Sequence, residues 1–275
     1  MTADVTYNSG DRFEMLEAEF PGGTMGYLAG GEGQPVLYLH GAGGLRVTPA
    51  LHLLAGSGFR LYLPILPGFD GTPFHEGIDS LPGLVRLCAD FTDRVIGAPA
   101  NVAGFAFGGR LALWFAIEQA AATNQLVVQS PSGARPTGED RPNSNDPGIM
   151  SRQMFAHPER EPPAERSPEF IVRNREASYF YHTAGKHVTK AVSRDEAMIK
   201  RLDEIEALAL LLHDTLDTTI GASSVQLLES RIPHSVLVYI DDAAHGVEVD
   251  QPERYAALVG DFLNRGDAFQ ADPDR

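Results

Sequence analysis

The chain has a single cysteine, a single tryptophan and few basic residues for its 275-residue length. One cysteine excludes an internal disulfide. Cys88 sits in the apolar run LPGLVRLCADF and reads as a small buried hydrophobe rather than a nucleophile. The 22 Lys and Arg against 37 Asp and Glu leave a formal net charge of −15. The basic footprint that neutralises phosphates is missing, which excludes nucleic acid and anionic membrane as expected partners. No run approaches the roughly 20 apolar residues needed to cross a bilayer. The first residues, MTADVTYNSGDRFEM, carry early acids in place of a basic and then apolar leader, so a cytoplasmic location is expected. No His or carboxylate spacing suggests a metal site, and no cofactor is called for.

What is present is an alternation of short β-branched or aromatic runs with longer segments of helical period, the pattern of a sheet wound with helices. Segments 12–20 and 24–30, separated by Pro21, Gly22 and Gly23, predict an opening hairpin. PVLYLH (35–40), RLYLPI (60–65), NVAGF (101–105), QLVVQS (125–130), LALLLH (208–213) and SVLVYI (235–240) predict the further strands. Helices are expected at about 46–57, 80–97, 110–121, 222–231 and 251–264, with a frayed tail after that. Between Pro131 and about Pro168 the pattern breaks into Pro-, Ser-, Asn- and Arg-rich sequence. Helical period returns at 169–182 and 193–206. Residues 134–205 are therefore read as an inserted helical lid on a core made of 1–133 and 206–275.

Four segments carry the chemistry. NVAGFAFGGRLALWFA runs a strand directly through Gly104-Phe105-Ala106-Phe107-Gly108-Gly109 into a helix. The third strand closes on His40-Gly41-Ala42-Gly43-Gly44. LALLLH leads into Asp214-Thr215-Leu216-Asp217, and SVLVYIDDAAHGVEVD places His245 in a turn after the last strand. In this order and spacing the chain resembles the α/β-hydrolases, over roughly residues 20–133 and 207–265. The first segment is similar to their nucleophile elbow, G-x-S-x-G, with Ala106 at the serine position.

The resemblance implies a mostly parallel eight-stranded sheet flanked by helices, with a helical lid inserted after the sixth strand. It implies a triad of residue 106, His245 as base and then acid, and Asp217 as the orienting acid, with Asp214 kept as an alternative carboxylate. The amides of Ala42 and Phe107 would form the oxyanion hole. His40 is expected to be a structural hydrogen-bonder beneath the loop, as is Asp70 in LPILPGFDGTP.

Gly41, Gly43, Phe105, Met154, Phe155, Tyr179 and Tyr181 are the candidate substrate contacts. Met150, Phe180, His182 and Trp114 are further aromatic or thioether candidates, and Arg46, Arg152 and Arg173 are conceivable carboxylate partners. A small, apolar or aromatic substrate is expected; a homodimer is left open.

Ala106 conflicts with the rest. A methyl group has no lone pair to attack a carbonyl, so the chain as written is expected not to complete serine-type hydrolysis. A serine enzyme changed at this one position to trap ligand is favoured, because an idle His and Asp would be free to drift. The rival is a natural protein that never used the serine, since relatives with this fold include lyases, cofactor-free oxygenases and ligand sensors. The expected substrate is an ester, lactone or related carbonyl compound, with carbon–carbon bond hydrolysis of the meta-cleavage type as the alternative.

Overall fold

The computed structural model describes residues 7, 10–139, 153–160, 168–185 and 194–270. Eight strands form one sheet: β1 (Phe13–Phe20), β2 (Gly23–Gly30), β3 (Gln34–Leu39), β4 (Phe59–Pro64), β5 (Ala100–Phe105), β6 (Thr123–Gln129), β7 (Leu208–Asp214) and β8 (Ser235–Ile240). Their spatial order is β1-β2-β4-β3-β5-β6-β7-β8. β1, β2 and β4 pair antiparallel, and every pair from β4 to β8 is parallel. The expected strands are all present within one or two residues of the sequence boundaries.

Parallel strands covered on both faces read as continuous apolar runs, and β7 is buried at all seven positions. Alternate residues supply two separate cores. Leu37 and Leu39 of β3 pack on the side of α2 (Leu81–Phe91) and α3 (Phe107–Glu118). Val36 and Tyr38 pack on the side of α1 (Pro49–Ala55) and the C-terminal helix Pro252–Arg265. Cys88 lies wholly inside the first core, and burial pushes its thiol up to about 12, which leaves it unreactive at neutral pH.

The chain leaves and re-enters this core at one place. Ala134 and Arg194 form an antiparallel bridge, and the Asp195 amide donates to the Gly133 carbonyl at 2.7 Å. Between them, α4 (Pro168–His182) packs on the loop after β4 and on the start of α3. Tyr181 donates its hydroxyl to the Pro67 carbonyl at 2.8 Å, its ring stacks on Phe69, and the His182 ring meets Phe107 edge-on. The expected helix at 193–206 is two short pieces, α5 (Glu196–Ile199) and a 3-10 turn (Leu202–Glu204). After β7 come α6 (Ala222–Glu229), α7 (Val247–Asp250), α8 (Pro252–Arg265) and α9 (Asp267–Gln270).

Residues 267–270 correct the expectation of a frayed tail. Phe269 is buried, its ring edge-on to Phe262 at 5.2 Å, so one aromatic anchor keeps the last turn folded.

Arg110 of α3 ties the inserted segment to the core. Its Nε and Nη2 donate to Asp195 Oδ2 at 2.9 and 2.5 Å, and Trp114 Nε1 donates to the same oxygen at 2.9 Å. Burial opposes ionisation of Asp195, but Arg110, Trp114 and the Met198 amide outweigh it and hold the carboxyl below its ordinary range. Removing one partner of a buried pair strands the other charge. Asp195→Ala is therefore expected to lower the unfolding free energy in urea by about 3 kcal/mol. A loss under about 0.5 kcal/mol would show that the pair is no stronger than a solvent-exposed one.

Candidate active site

The four chemistry-bearing segments meet at the C-terminal ends of the central strands. β5 turns into α3 through Ala106, whose backbone is held at φ 50° and ψ −105°. This is a conformation that residues with a Cβ rarely adopt, costing about 1–3 kcal/mol unless the surroundings enforce it. Three hydrogen bonds enforce it here. The Ala106 amide donates to the Gln129 carbonyl at 3.1 Å, and its carbonyl accepts from the amides of Arg110 and Ser132 at 3.1 and 2.9 Å.

The flanking glycines are needed for closeness. A Cβ on Gly104 would lie 2.3 Å from the Gly108 carbonyl oxygen, and one on Gly108 would lie 1.9 Å from that of Leu39. Any side chain there would force β5, α3 and β3 apart. Ala106 itself is 9% exposed, at the edge of solvent reach.

His245 and Asp217 are joined. His245 Nδ1 lies 2.8 Å from Asp217 Oδ2, and the Asp217 carboxylate also accepts from the amides of Thr219 (2.7 Å) and Ile220 (3.0 Å). Burial alone would raise this acid. His245, the Ile220 amide and the Ser130 hydroxyl outweigh burial and hold it below its ordinary value, so Asp217 is ionised at neutral pH. An anion at Oδ2 requires the proton on Nδ1 and leaves Nε2 as the basic nitrogen. The His245 ring packs on Phe105 with centroids 4.8 Å apart, beside the elbow.

Asp214, the alternative carboxylate, makes no hydrogen bond to His245. It is wholly buried, and neither of its oxygens has a hydrogen-bond partner among the described residues.

The glycine loop after β3 is supported from below. His40 Nδ1 donates to the Gly41 carbonyl at 2.9 Å while its Nε2 accepts from the Leu66 amide at 3.2 Å, which makes it a neutral structural residue. Asp70 accepts from the Leu45 amide at 2.9 Å. Asn174 of α4 donates to both Asp70 Oδ1 and the Gly43 carbonyl at 2.8 Å, and accepts from the Asp70 amide. Loop and α4 are thus locked together. Among the described residues no protein acceptor receives the amides of Ala42 or Phe107, the first helical residue of α3. A helix N-terminus and a free loop amide together favour an anionic oxygen.

The remaining candidates divide. Phe155 is buried against Gly246 and beneath the Arg46 guanidinium, and the Met154 carbonyl accepts the Gly246 amide at 2.7 Å, so both border the histidine turn. Tyr181 has its hydroxyl engaged by Pro67 and stands in the packing of α4. Tyr179 is half-buried, and among the described residues no ring contact joins it to the elbow. Trp114, expected beside the acyl pocket, instead turns its indole to Asp195 and Arg201. Two helical turns separate it from position 106. Arg173 is exposed on α4, while Met150 and Arg152 lie outside the described residues.

Several residues that shape the site gave no local signal. Asp250 accepts from the Ala244, Ala156 and His157 amides at 2.8–2.9 Å and pins the histidine turn to residues 153–160. Glu248 is wholly buried beneath the turn and accepts from the Tyr38 hydroxyl at 2.9 Å. Burial pushes its carboxyl up to about 7, against the pull of Tyr38 and Tyr255.

An elbow with this backbone, a His–Asp pair beside it and two free amides on one sheet define the α/β-hydrolase class. Residues 36–258 match the model of the Alpha/beta hydrolase family, and the chain belongs to that family. It is 25% identical to the pimeloyl-[acyl-carrier protein] methyl ester esterase of Aeromonas salmonicida, over 85% of this chain and 96% of that protein. A serine hydrolase of the polyaromatic hydrocarbon-degrading bacterium Cycloclasticus zankles has the same fold, with a TM-score of 0.74 at 16% identity over 92% of this chain and 98% of that one. So has a serine-to-alanine mutant of the meta-cleavage product hydrolase of Pseudomonas fluorescens IP01 complexed with acetates, with a TM-score of 0.71 at 20% identity over 91% and 97%.

Glu248 gives the site a pH signature. The folded protein keeps this proton after the unfolded chain, with the ordinary value of 4.5, has lost it. Stability from this group is complete below about pH 4.5 and is lost as pH rises through about 7. Glu248→Gln is expected to remove that decline and to exceed the parent by about 2 kcal/mol at pH 8. Denaturation curves of the two proteins from pH 4 to 8 check it; curves that stay parallel would show that Glu248 is ionised in the fold.

Proposed function

We propose that the chain has the machinery of an ester-cleaving α/β-hydrolase and lacks only the nucleophile. The observation that carries this is the 2.8 Å contact of His245 Nδ1 with an ionised Asp217, beside an elbow still held at φ 50°. In the active form an oxygen at position 106 would attack the carbonyl carbon while His245 Nε2 takes its proton. Asp217 would stabilise the imidazolium, and the amides of Ala42 and Phe107 would receive the oxyanion.

His245 would then return the proton to the leaving alcohol, and water would release the acid by the same steps. With alanine at 106 the covalent step has no donor atom. Binding and oxyanion stabilisation remain, so the protein holds its ligand and does not turn it over by this route. The kinship with methyl ester esterases supports an ester over a carbon–carbon bond as the cleaved group. Phe105, Phe107 and Phe155 around the turn support an apolar or aromatic acyl portion.

A complete and correctly ionised dyad supports descent from a serine enzyme changed at this one position. It equally suits a second reading, in which Ala106 is native and His245 acts directly as a base on a carbonyl substrate whose oxyanion the two amides hold. The natural gene at codon 106 separates these.

Ala106→Ser is expected to give turnover of small aryl esters on the order of a million-fold above the parent, monitored by release of the phenol. In that background Asp217→Asn is expected to lower kcat by about four orders of magnitude. An inert but folded Ala106→Ser protein would sink the ester-hydrolase reading.

A further inference from the structure

Asn174 is buried on the face of α4 that meets the core, and it turns its side-chain amide onto the glycine loop after β3. Nδ2 donates to the Gly43 carbonyl and to Asp70 Oδ1, and Oδ1 accepts the Asp70 amide, each at 2.8 Å. Asp70 extends the hold, since its Oδ2 accepts the Leu45 amide at 2.9 Å. Gly44 lies between these contacts, and a Cβ there would stand 2.1 Å from Asp70 Oδ1 and 2.3 Å from Asn174 Nδ2. The clamp closes on bare backbone.

The consequence for residue 42 runs through two peptide planes. Each peptide of the loop is trans, so its C=O and N–H point opposite ways and fixing one aims the other. Asn174 holds the Gly43 C=O, and the N–H of that same peptide, which belongs to Gly44, donates to the Gly41 carbonyl at 3.1 Å. His40 Nδ1 donates to the Gly41 carbonyl as well, at 2.9 Å. The far end of the Gly41 peptide is the Ala42 N–H. Its direction is thereby set from α4.

The same helix reaches the residue of the second amide. Tyr181, about two turns on and so on the same face of α4, stacks on Phe69, whose ring meets that of Phe107 at 5.5 Å. The His182 ring touches Phe107 directly.

We infer that Asn174 is a positioning residue for the oxyanion hole: docking of the inserted helix aims the Ala42 amide, and the hole is complete only with α4 in place. The clamp itself is independent of any reaction, whereas the role of the Ala42 amide rests on the proposed function.

An exchange of partners separates this role from mere fastening of α4. With Asp70→Asn and Asn174→Asp together, the bonds among residues 45, 70 and 174 reform with donor and acceptor interchanged, but residue 174 offers the Gly43 carbonyl no donor. In the chain with alanine at 106, hydrogen exchange of the Gly44 amide, followed by NMR, should be about tenfold faster both in Asn174→Ala and in the exchanged pair. The Leu45 amide should keep its parent rate in the pair. A parental Gly44 rate in either folded variant would show that Asn174 only fastens α4, and overturns the positioning role. Should Asn174→Ala fail to fold, the pair, which keeps the contact of α4 with residue 70, decides.

In the Ala106→Ser background both variants should lower kcat about tenfold with KM unchanged, because an oxyanion donor acts on the transition state. A parental kcat, or a loss confined to KM, overturns the assignment to the oxyanion hole. An inert serine protein whose Gly44 exchange nonetheless responds to the variants would overturn the proposed function and leave the clamp standing.

Discussion

The backbone of Ala106 turns from strand to helix in a conformation that a side chain resists, and the rest of the site is arranged around holding it there. β5 must stop, reverse its local handedness for one residue and enter α3 at full packing density. That is feasible because Gly104 and Gly108 have no Cβ to collide with the neighbouring backbone, and because Gln129, Arg110 and Ser132 take up the hydrogen bonds of residue 106. The geometry does not depend on what residue 106 carries. A hydroxyl at this position would project from the same place as the methyl group.

The electrostatics follow from the same burial. Asp214 and Asp217 lie at the end of β7 and on the turn after it, Glu248 and Asp250 follow His245 on α7, and all four are buried. Four carboxylates cannot all be charged in such a place. Backbone amides and the imidazole select Asp217, so the negative charge sits against the His245 ring. Asp250 takes three amides and acts as the anchor of the histidine turn. Asp214 and Glu248, given fewer or no donors, are driven toward the neutral form.

The fold was readable from the strand runs and the glycine motifs because both signals are local. A parallel strand needs a continuous apolar run, and a close-packed turn needs glycine at fixed offsets. His245, Asp217 and Ala106 were legible through their place after particular strands. Gln129, Asn174 and Asp250 were not, because each does its work across a hundred residues or nearly so and sits in a segment whose own pattern is ordinary. Trp114 and Tyr181 show the converse. Composition marked them as pocket aromatics, but the direction of each side chain depended on where Asp195 and Pro67 would fall after folding. Phe269 turned an expected loose end into a helix by a single contact of the same unseen kind.

The bridge between Ala134 and Arg194 joins the two ends of everything inserted after β6. An excursion that starts and finishes at one hydrogen-bonded pair places no constraint of length or shape on the sheet beneath it. A replacement for it would still have to hold Asp70 and the Gly43 carbonyl as Asn174 does, and to offer Asp250 the amides that Ala156 and His157 offer, for the glycine loop and the histidine turn to keep their places. Between those fixed contacts its length and sequence can change with the sheet left unaltered.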